Sequence, residues 1–233
     1  PDRIMPALTF LRERFPNLQS IGFGVNTSKN DTLADIEFKI VFGQPWLEET
    51  CGSVALRIPP KAFYQTNPYQ APHLYDLIRE LGELSPADTL YDLYCGIGSI
   101  GMYLSGDVNT VIGIESVEPA VQAARQNAEL NGIQGMHVLA GPVEVRLQEA
   151  ADQFGRPDVV VLDPPRAGLH PDAVTALKQL APERIVYVSC NPITQARDID
   201  ALYDLYWVKR LFPVDMFPQT RHVENVVALH RRQ

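Results

Sequence analysis

Two hydrophobic rhythms divide the chain near residue 60. Before it, apolar residues come in short, loosely alternating stretches. Pro6–Phe15 (PALTFLRERF) predicts a short helix with proline in its first turn. Ser20–Asn26 and Glu37–Phe42 alternate enough to predict strands, with the polar turn Ser28–Asp31 between them. Val54–Ile58 predicts another strand, stopped by Pro59-Pro60. The FYQTN segment (Phe63–Asn67) comes next, and then a helix over about Tyr69–Leu81.

From Thr89 onward, short apolar runs alternate with helical stretches. Strands are predicted at Thr89–Leu93, Thr110–Ile114, Met136–Ala140, Val159–Leu162, Arg184–Ser189, Trp207–Pro213 and Val223–Leu229. Helices lie between them, for example Glu118–Asn131, Pro171–Leu180 and Thr194–Leu205. This alternation predicts a parallel sheet covered by helices on both faces. The last two runs have no helix between them and are expected to pair antiparallel. The reading is an α/β chain: residues 61–233 form a Rossmann-like, seven-stranded, mostly parallel sheet with an antiparallel last strand. Residues 1–60 form a small N-terminal α/β piece, the remnant of a central domain.

Composition narrows the function classes. Hydrophobic residues make up 45% of the chain, ordinary for a globular protein with a sizeable core. No run of about 18 apolar residues exists to span a membrane, and no basic-then-apolar leader is visible. A chain beginning at Pro1 reads as a piece of a longer one. Three scattered cysteines, Cys51, Cys95 and Cys190, fit neither a disulfide framework nor a metal knuckle, so a reducing, cytoplasmic setting and no bound metal are expected. The net charge of −8 is a poor footprint for a nucleic-acid binder. An RNA-acting chain of this charge needs a local basic rim, for which Arg166, Arg197, Arg221 and His222 are the candidates.

The first strand of the second part ends in D-L-Y-C-G-I-G-S-I-G (Asp92–Gly101). A glycine-rich turn after a strand lets a ligand approach the backbone closely. The next strand ends at Glu115, where an acid can accept both hydroxyls of a ribose. The spacing G-x-G-x-x-G also suits a dinucleotide. The far half of the sheet decides otherwise: an antiparallel final hairpin and a D-P-P-R after the fourth strand mark S-adenosylmethionine methyltransferases. Asp163 then sits at the mouth of the pocket, near the methyl donor; the bland alternative is an acid capping the next helix.

Three segments carry candidate chemistry: D-P-P-R (Asp163–Arg166), S-C-N-P (Ser189–Pro192) and T-R-H-V-E (Thr220–Glu224). Asp163 and Cys190 each follow a parallel strand, and Glu224 begins an antiparallel one, so all three meet at one sheet edge. Such a set suits methylation at C5 of a uracil. A thiolate adds to C6, C5 becomes nucleophilic, and a base removes the C5 proton. Cys190 supplies the sulfur and Glu224 the base. A free thiol has a pKa of about 8.5, so the site must favour the thiolate. The bland alternatives are a small buried residue at a strand end for Cys190 and a solvated acid for Glu224.

At these residues the sequence resembles the RNA 5-methyluridine methyltransferase family, which modifies 23S ribosomal RNA or the T-loop of transfer RNA. The matching stretches are F-Y-Q-T-N, D-L-Y-C-G-I-G-S-I-G, D-P-P-R-A-G-L, V-S-C-N-P and D-M-F-P-Q-T-R-H-V-E, in family order from about Phe63 to the end. The resemblance implies Cys190 as nucleophile and Glu224 as base. It implies Gln65, Tyr94, Glu115 and Asp163 as contacts to S-adenosylmethionine. Phe63, Gln65 and Asp163 would also face a flipped uridine. D-M-F-P stands closer to the ribosomal-RNA members, so a 23S ribosomal RNA substrate and a monomeric enzyme are expected. Members usually carry an N-terminal OB-fold-like domain and many a four-cysteine iron–sulfur site; neither is visible here. Some have asparagine at the position of Ser99 and a polar residue at that of Pro142.

Three rivals stand beside this reading. A cytosine-C5 RNA methyltransferase would place a second cysteine after the fourth strand, where this chain has Asp163-Pro164-Pro165. An amine N-methyltransferase carries D/N-P-P-Y and would need neither Cys190 nor Glu224. A catalytically silent RNA-binding module would keep the fold without using the Cys–Glu pair.

Overall fold

The computed structural model describes residues 3–26 and 36–232. It opens with helix α1 (Met5–Arg14) and an antiparallel pair, β1 (Ser20–Gly24) and β2 (Phe38–Gly43). The turn expected at Ser28–Asp31 lies outside the described residues. A hairpin comes next, β3 (Leu47–Cys51) and β4 (Val54–Ile58). The sequence pattern locates β4 at these bounds and misses β3. In β3 the run Leu47-Glu48-Glu49-Thr50 puts acids on an exposed strand, and only Cys51 is buried.

The hairpin packs onto the larger, C-terminal part of the chain. Cys51, Val54 and Leu56 share one apolar cluster with Leu74, Tyr75 and Ile78 of α2 (Ala71–Gly82). The hairpin and α2 therefore share one apolar core. Polar atoms finish the joint. β5 (Thr89–Leu93), α3 (Ser99–Leu104) and β6 (Thr110–Glu115) lead to α4 (Glu118–Leu130). Asn127, on α4, accepts from the Arg57 N–H at 2.8 Å and donates to its carbonyl at 3.2 Å. Asn131, just past the helix, does the same for Ala55, at 2.8 and 2.7 Å. Positions four apart share a helix face, and positions two apart share a strand edge. The two amides thereby satisfy backbone groups that β4 would otherwise bury unpaired.

The remaining elements are β7 (Met136–Ala140), α5 (Val143–Phe154), β8 (Val159–Leu162), α6 (Pro171–Leu180), β9 (Arg184–Ser189), α7 (Pro192–Leu202), β10 (Tyr206–Val214) and β11 (Glu224–Arg231). Seven strands form one sheet in the order β10-β11-β9-β8-β5-β6-β7. β5 through β9 pair in parallel, and β11 runs antiparallel to both β9 and β10. The expected seven-stranded sheet with its antiparallel last strand is what forms. Alternate residues feed the two faces. Leu90, Val159 and Val161 meet α2 and α3 on one side, whereas Tyr91, Val160 and Leu162 meet α5 and α6 on the other. A strand buried on both faces reads as an unbroken apolar run, which is why Val159–Leu162 was legible.

The sequence pattern does not reveal α3 or α5. α3 is six residues long and contains a glycine, so it carries little helical periodicity. α7 begins at Pro192 instead of Thr194, because the Asn191 side chain accepts from the Ile193 N–H at 3.2 Å and caps it. The carboxyl ends of β5, β6, β8 and β9 and the start of β11 share one edge, which carries the candidate residues.

Candidate active site

The turn after β5 is built from left-handed backbone. Gly96 and Gly98 have φ of 55° and 79°, and a side chain at Gly98 would meet Met136 Cε at 2.8 Å. A side chain at Gly96 would meet only open space and the Phe63 carbonyl at 3.9 Å, so the Gly96 backbone faces a gap beside the FYQTN loop. Tyr94, which is not a glycine, also has positive φ, 64°. Its N–H and that of Cys95 both donate to the Ile114 carbonyl, at 2.9 and 3.2 Å. This conformation costs about 1–3 kcal/mol and persists because the neighbouring strand holds it.

Glu115, at the end of β6, lies within hydrogen-bond reach of this turn. Its Oε2 accepts from the Gly96 N–H at 3.0 Å and its Oε1 from the Val117 N–H at 2.7 Å. Oε1 also accepts from the Ser116 hydroxyl at 3.4 Å, so Oε2 is the oxygen that keeps lone-pair capacity for a further donor. One acid is not singled out by the sequence motifs: Asp92 is fully buried in β5. Its Oδ2 accepts from the Gly101 N–H at 2.9 Å, and its Oδ1 has no partner among the described residues. Burial is the main force raising its pKa to about 7. An acid inside the apolar run T-L-Y-D-L was the available signal.

Gln65 and Asp163 meet from opposite ends of the chain. Gln65 is buried and donates its amide to Asp163 Oδ2 at 3.4 Å. The Gln65 Oε1 atom is buried without a partner among the described residues. Desolvation raises Asp163 to about 7. It does not cap α6; His170 does, accepting from the Asp172 N–H at 3.3 Å. Phe63, two residues before Gln65, is 63% exposed. Asn67 donates to the Met216 carbonyl at 3.2 Å and ties this loop to the D-M-F-P segment.

Cys190 and Glu224 flank one rung of the sheet. Ser189, the last residue of β9, pairs with Asn225 of β11, so the nucleophile candidate and the base candidate extend from the same ladder end. Cys190 is half-buried and Glu224 buried; Cys51 and Cys95 are both buried. Burial raises Glu224 to about 7, with the charge of Asp163 adding to the rise and that of Arg166 opposing it. Burial also raises the Cys190 thiol; Glu224 and Asp163 push the same way, and Arg166 pulls it down. The two loops that carry these groups are stitched together. The Asn191 side chain donates to the Arg166 carbonyl at 3.0 Å, and Thr194 Oγ1 donates to the same carbonyl at 3.1 Å. Buried Asp198 accepts from the Leu169 N–H and the Tyr187 hydroxyl, both at 2.7 Å. Arg197, a candidate for the basic rim, pairs with Asp198 and donates to the Ala167 carbonyl while its side chain stays 58% exposed. Tyr75 and Ser99 share a hydrogen bond of 2.9 Å behind the site, and Pro142 precedes α5 as its cap residue.

This sheet, with a glycine turn at one strand end and a Cys–Glu pair at another, is a Rossmann-like arrangement of the methyltransferase type. The chain belongs to the tRNA (uracil-5-)-methyltransferase family, whose sequence model matches residues 34–232. A Bacteroides thetaiotaomicron protein described as an uncharacterized RNA methyltransferase is 45% identical over 226 residues, covering 97% of this chain and 50% of that protein. A Porphyromonas gingivalis protein of the same description is 45% identical over 96% of this chain and 49% of its own length. The chain thus spans about half the length of the curated relatives it matches. Among solved structures, the Pyrococcus abyssi tRNA (uracil-54, C5)-methyltransferase in complex with S-adenosyl-L-homocysteine superposes with a TM-score of 0.76 at 37% identity. It covers 94% of this chain and 52% of that one. Among the described residues no helix is long and apolar enough to cross a membrane.

Proposed function

We propose that this chain is the catalytic part of an S-adenosylmethionine-dependent RNA methyltransferase that forms 5-methyluridine, with residues 61–233 as its catalytic domain. The observation that carries the reading is the Cys190–Glu224 pair at one ladder end, beside Asp163 and Arg166.

The residues present fit the cofactor. Glu115 Oε2 has acceptor capacity for a ribose hydroxyl, and the Gly96 backbone leaves room for a ligand's close approach. The buried, unpartnered Oε1 of Gln65 calls for a donor, which an ammonium group would supply beside Asp163. Tyr94 lines the same turn. When bound, S-adenosylmethionine supplies an electrophilic methyl and a positive charge beside these acids.

In this mechanism the Cys190 thiol gives its proton to solvent and its sulfur bonds to C6 of the uracil. The C5–C6 double bond opens into an enolate, which makes C5 a nucleophile. Arg166 favours the thiolate against the opposing effects of burial, Glu224 and Asp163. Once C5 is methylated, Glu224 takes the C5 proton, the double bond re-forms and the C6–S bond breaks. A carboxylate held near 7 suits a general base working at neutral pH. The target uridine must leave its stack for both faces to be reached, and exposed Phe63 is placed to stack on it.

The substrate is RNA, and D-M-F-P at Asp215–Pro218 favours 23S ribosomal RNA, with the protein acting as a monomer in the cytoplasm. Transfer RNA is the second reading, favoured by the family and by the Pyrococcus abyssi neighbour. The test is methylation of total RNA from a strain lacking the enzyme, followed by nucleoside mass spectrometry and site mapping. Appearance of 5-methylcytidine, or of no methylated base, would reject the reading.

A further inference from the structure

Only three residues of α7 are buried, and two of them are polar: Gln195, Asp198 and Leu202. A helix lying on a sheet normally presents apolar side chains there, because a buried amide costs stability unless it is fully bonded. Gln195 is 1% exposed and is fully bonded. Its Nε2 donates to the Tyr187 carbonyl of β9 at 2.8 Å and to the Asn225 carbonyl of β11 at 3.1 Å. Its Oε1 accepts from the Asn225 side-chain amide at 2.6 Å. One side chain thus ties the strand that leads to Cys190 to the strand that begins with Glu224.

The bridge bears unequally on the two strands: two of its three hydrogen bonds fall on Asn225, next to Glu224, and one on Tyr187, three residues before Cys190. β9 is flanked by β8 on one side and β11 on the other, and its pairing with β8 runs as far as Tyr187. β11 is likewise paired on both sides here, Glu224 with Val214 of β10 and Asn225 with Ser189 of β9. The Gln195 bridge therefore restrains chiefly the Glu224 end.

We infer that Gln195 and Asn225 are positioning residues that set Glu224 against the bound base, and that they act on proton abstraction more than on thiolate addition. This rests on the proposed uridine C5 chemistry. Displacing a reacting group by about 1 Å can cost roughly 10²-fold in rate. Loss of the bridge should slow the step that needs Glu224 by between about 10- and 100-fold. Addition of Cys190 to C6 should change little, so a methylated covalent RNA adduct should build up.

The experiment uses single-turnover methylation of a uridine-containing RNA that the intact wild-type protein methylates, with denaturing gels to capture the adduct. Two variants are compared. Gln195→Leu removes every polar atom of the bridge. Gln195→Glu keeps the length and the acceptor for Asn225 but loses both donations, and it stands in if the leucine variant fails to fold. Adduct accumulation with slow release, at wild-type affinity for S-adenosylhomocysteine and with the variant still folded at the assay temperature, is the expected result. Wild-type release, or equal losses in addition and release, or weakened cofactor affinity, overturns the inference while leaving the functional reading intact. A wild-type protein that forms no 5-methyluridine overturns both.

Discussion

The side-chain amide of Gln65 reaches Oδ2 of Asp163 at 3.4 Å across 98 residues of sequence. The contact joins the FYQTN loop to the D-P-P-R loop, with the free acceptor of Gln65 beside it. If these two groups hold the amino-acid end of S-adenosylmethionine, Gln65→Ala should weaken S-adenosylhomocysteine binding by about 10-fold, the worth of roughly one hydrogen bond to a charged group. Calorimetric titration measures it. An unchanged dissociation constant would assign Gln65 to loop packing alone.

The nucleophile and the base should fail differently. Cys190→Ala should abolish methyl transfer and form no covalent RNA complex. Glu224→Gln matches the carboxylate in shape but cannot take the C5 proton. It should release product about 10²–10⁴-fold more slowly and leave an adduct stable to denaturing electrophoresis, with the methyl already in place. Normal turnover by Glu224→Gln would move the role of base to Asp163, and activity in Cys190→Ala would end the covalent mechanism.

The release step should titrate near neutrality. Glu224 is raised to about 7, first by burial and then by Asp163. A base must be ionised, so release should speed up as pH rises through about 7 and level off above it. Asp163→Asn removes the second cause and should move the midpoint down. A midpoint that stays in place would show that burial alone sets it.

Asp92 should mark the stability profile of the unliganded protein. Its pKa is raised to about 7, chiefly by burial, against an ordinary value of about 3.9. The folded state then holds the proton more tightly than the unfolded chain. This contribution is full below pH ~4 and is lost as pH rises through about 7. In a domain of this size each kcal/mol moves Tm by roughly 2–4 °C. Thermal melts of wild type and Asp92→Asn at pH 5 and pH 8 should show the variant losing less of its Tm on going to pH 8. Parallel losses would mean that Asp92 stays ionised, its second oxygen satisfied by a further donor.

Phe63 separates stacking from packing. It stands 63% exposed next to the gap beside Gly96. Phe63→Ala should weaken RNA use and leave S-adenosylhomocysteine affinity nearly intact, as filter binding and titration would show. Equal loss of both would point to a packing role.

Much of this molecule was written in local pattern. Val159–Leu162 and Arg184–Ser189 could be placed to the residue because strands buried on both faces must be apolar throughout. The glycine turn, Glu115 and Asp163 could be placed on the sheet edge because ligands in such sheets gather beyond the parallel strand ends. Local pattern failed where polar residues interrupt a strand or face inward. Glu48 and Glu49 hid β3, Asp92 passed as one letter of a strand, and nothing singled out Gln195 within its helix. Burial of inward-facing polar groups depends on partners far along the chain: Gln195 on Asn225, Asn127 on Arg57, Asp198 on Leu169. The sequence by itself determined the strands of the seven-stranded sheet and the side chains that end them. Only the tertiary structure decided that Ser189 pairs with Asn225, the register that sets the Cys190 and Glu224 positions side by side, because strand register is set by packing between segments and not by either segment alone.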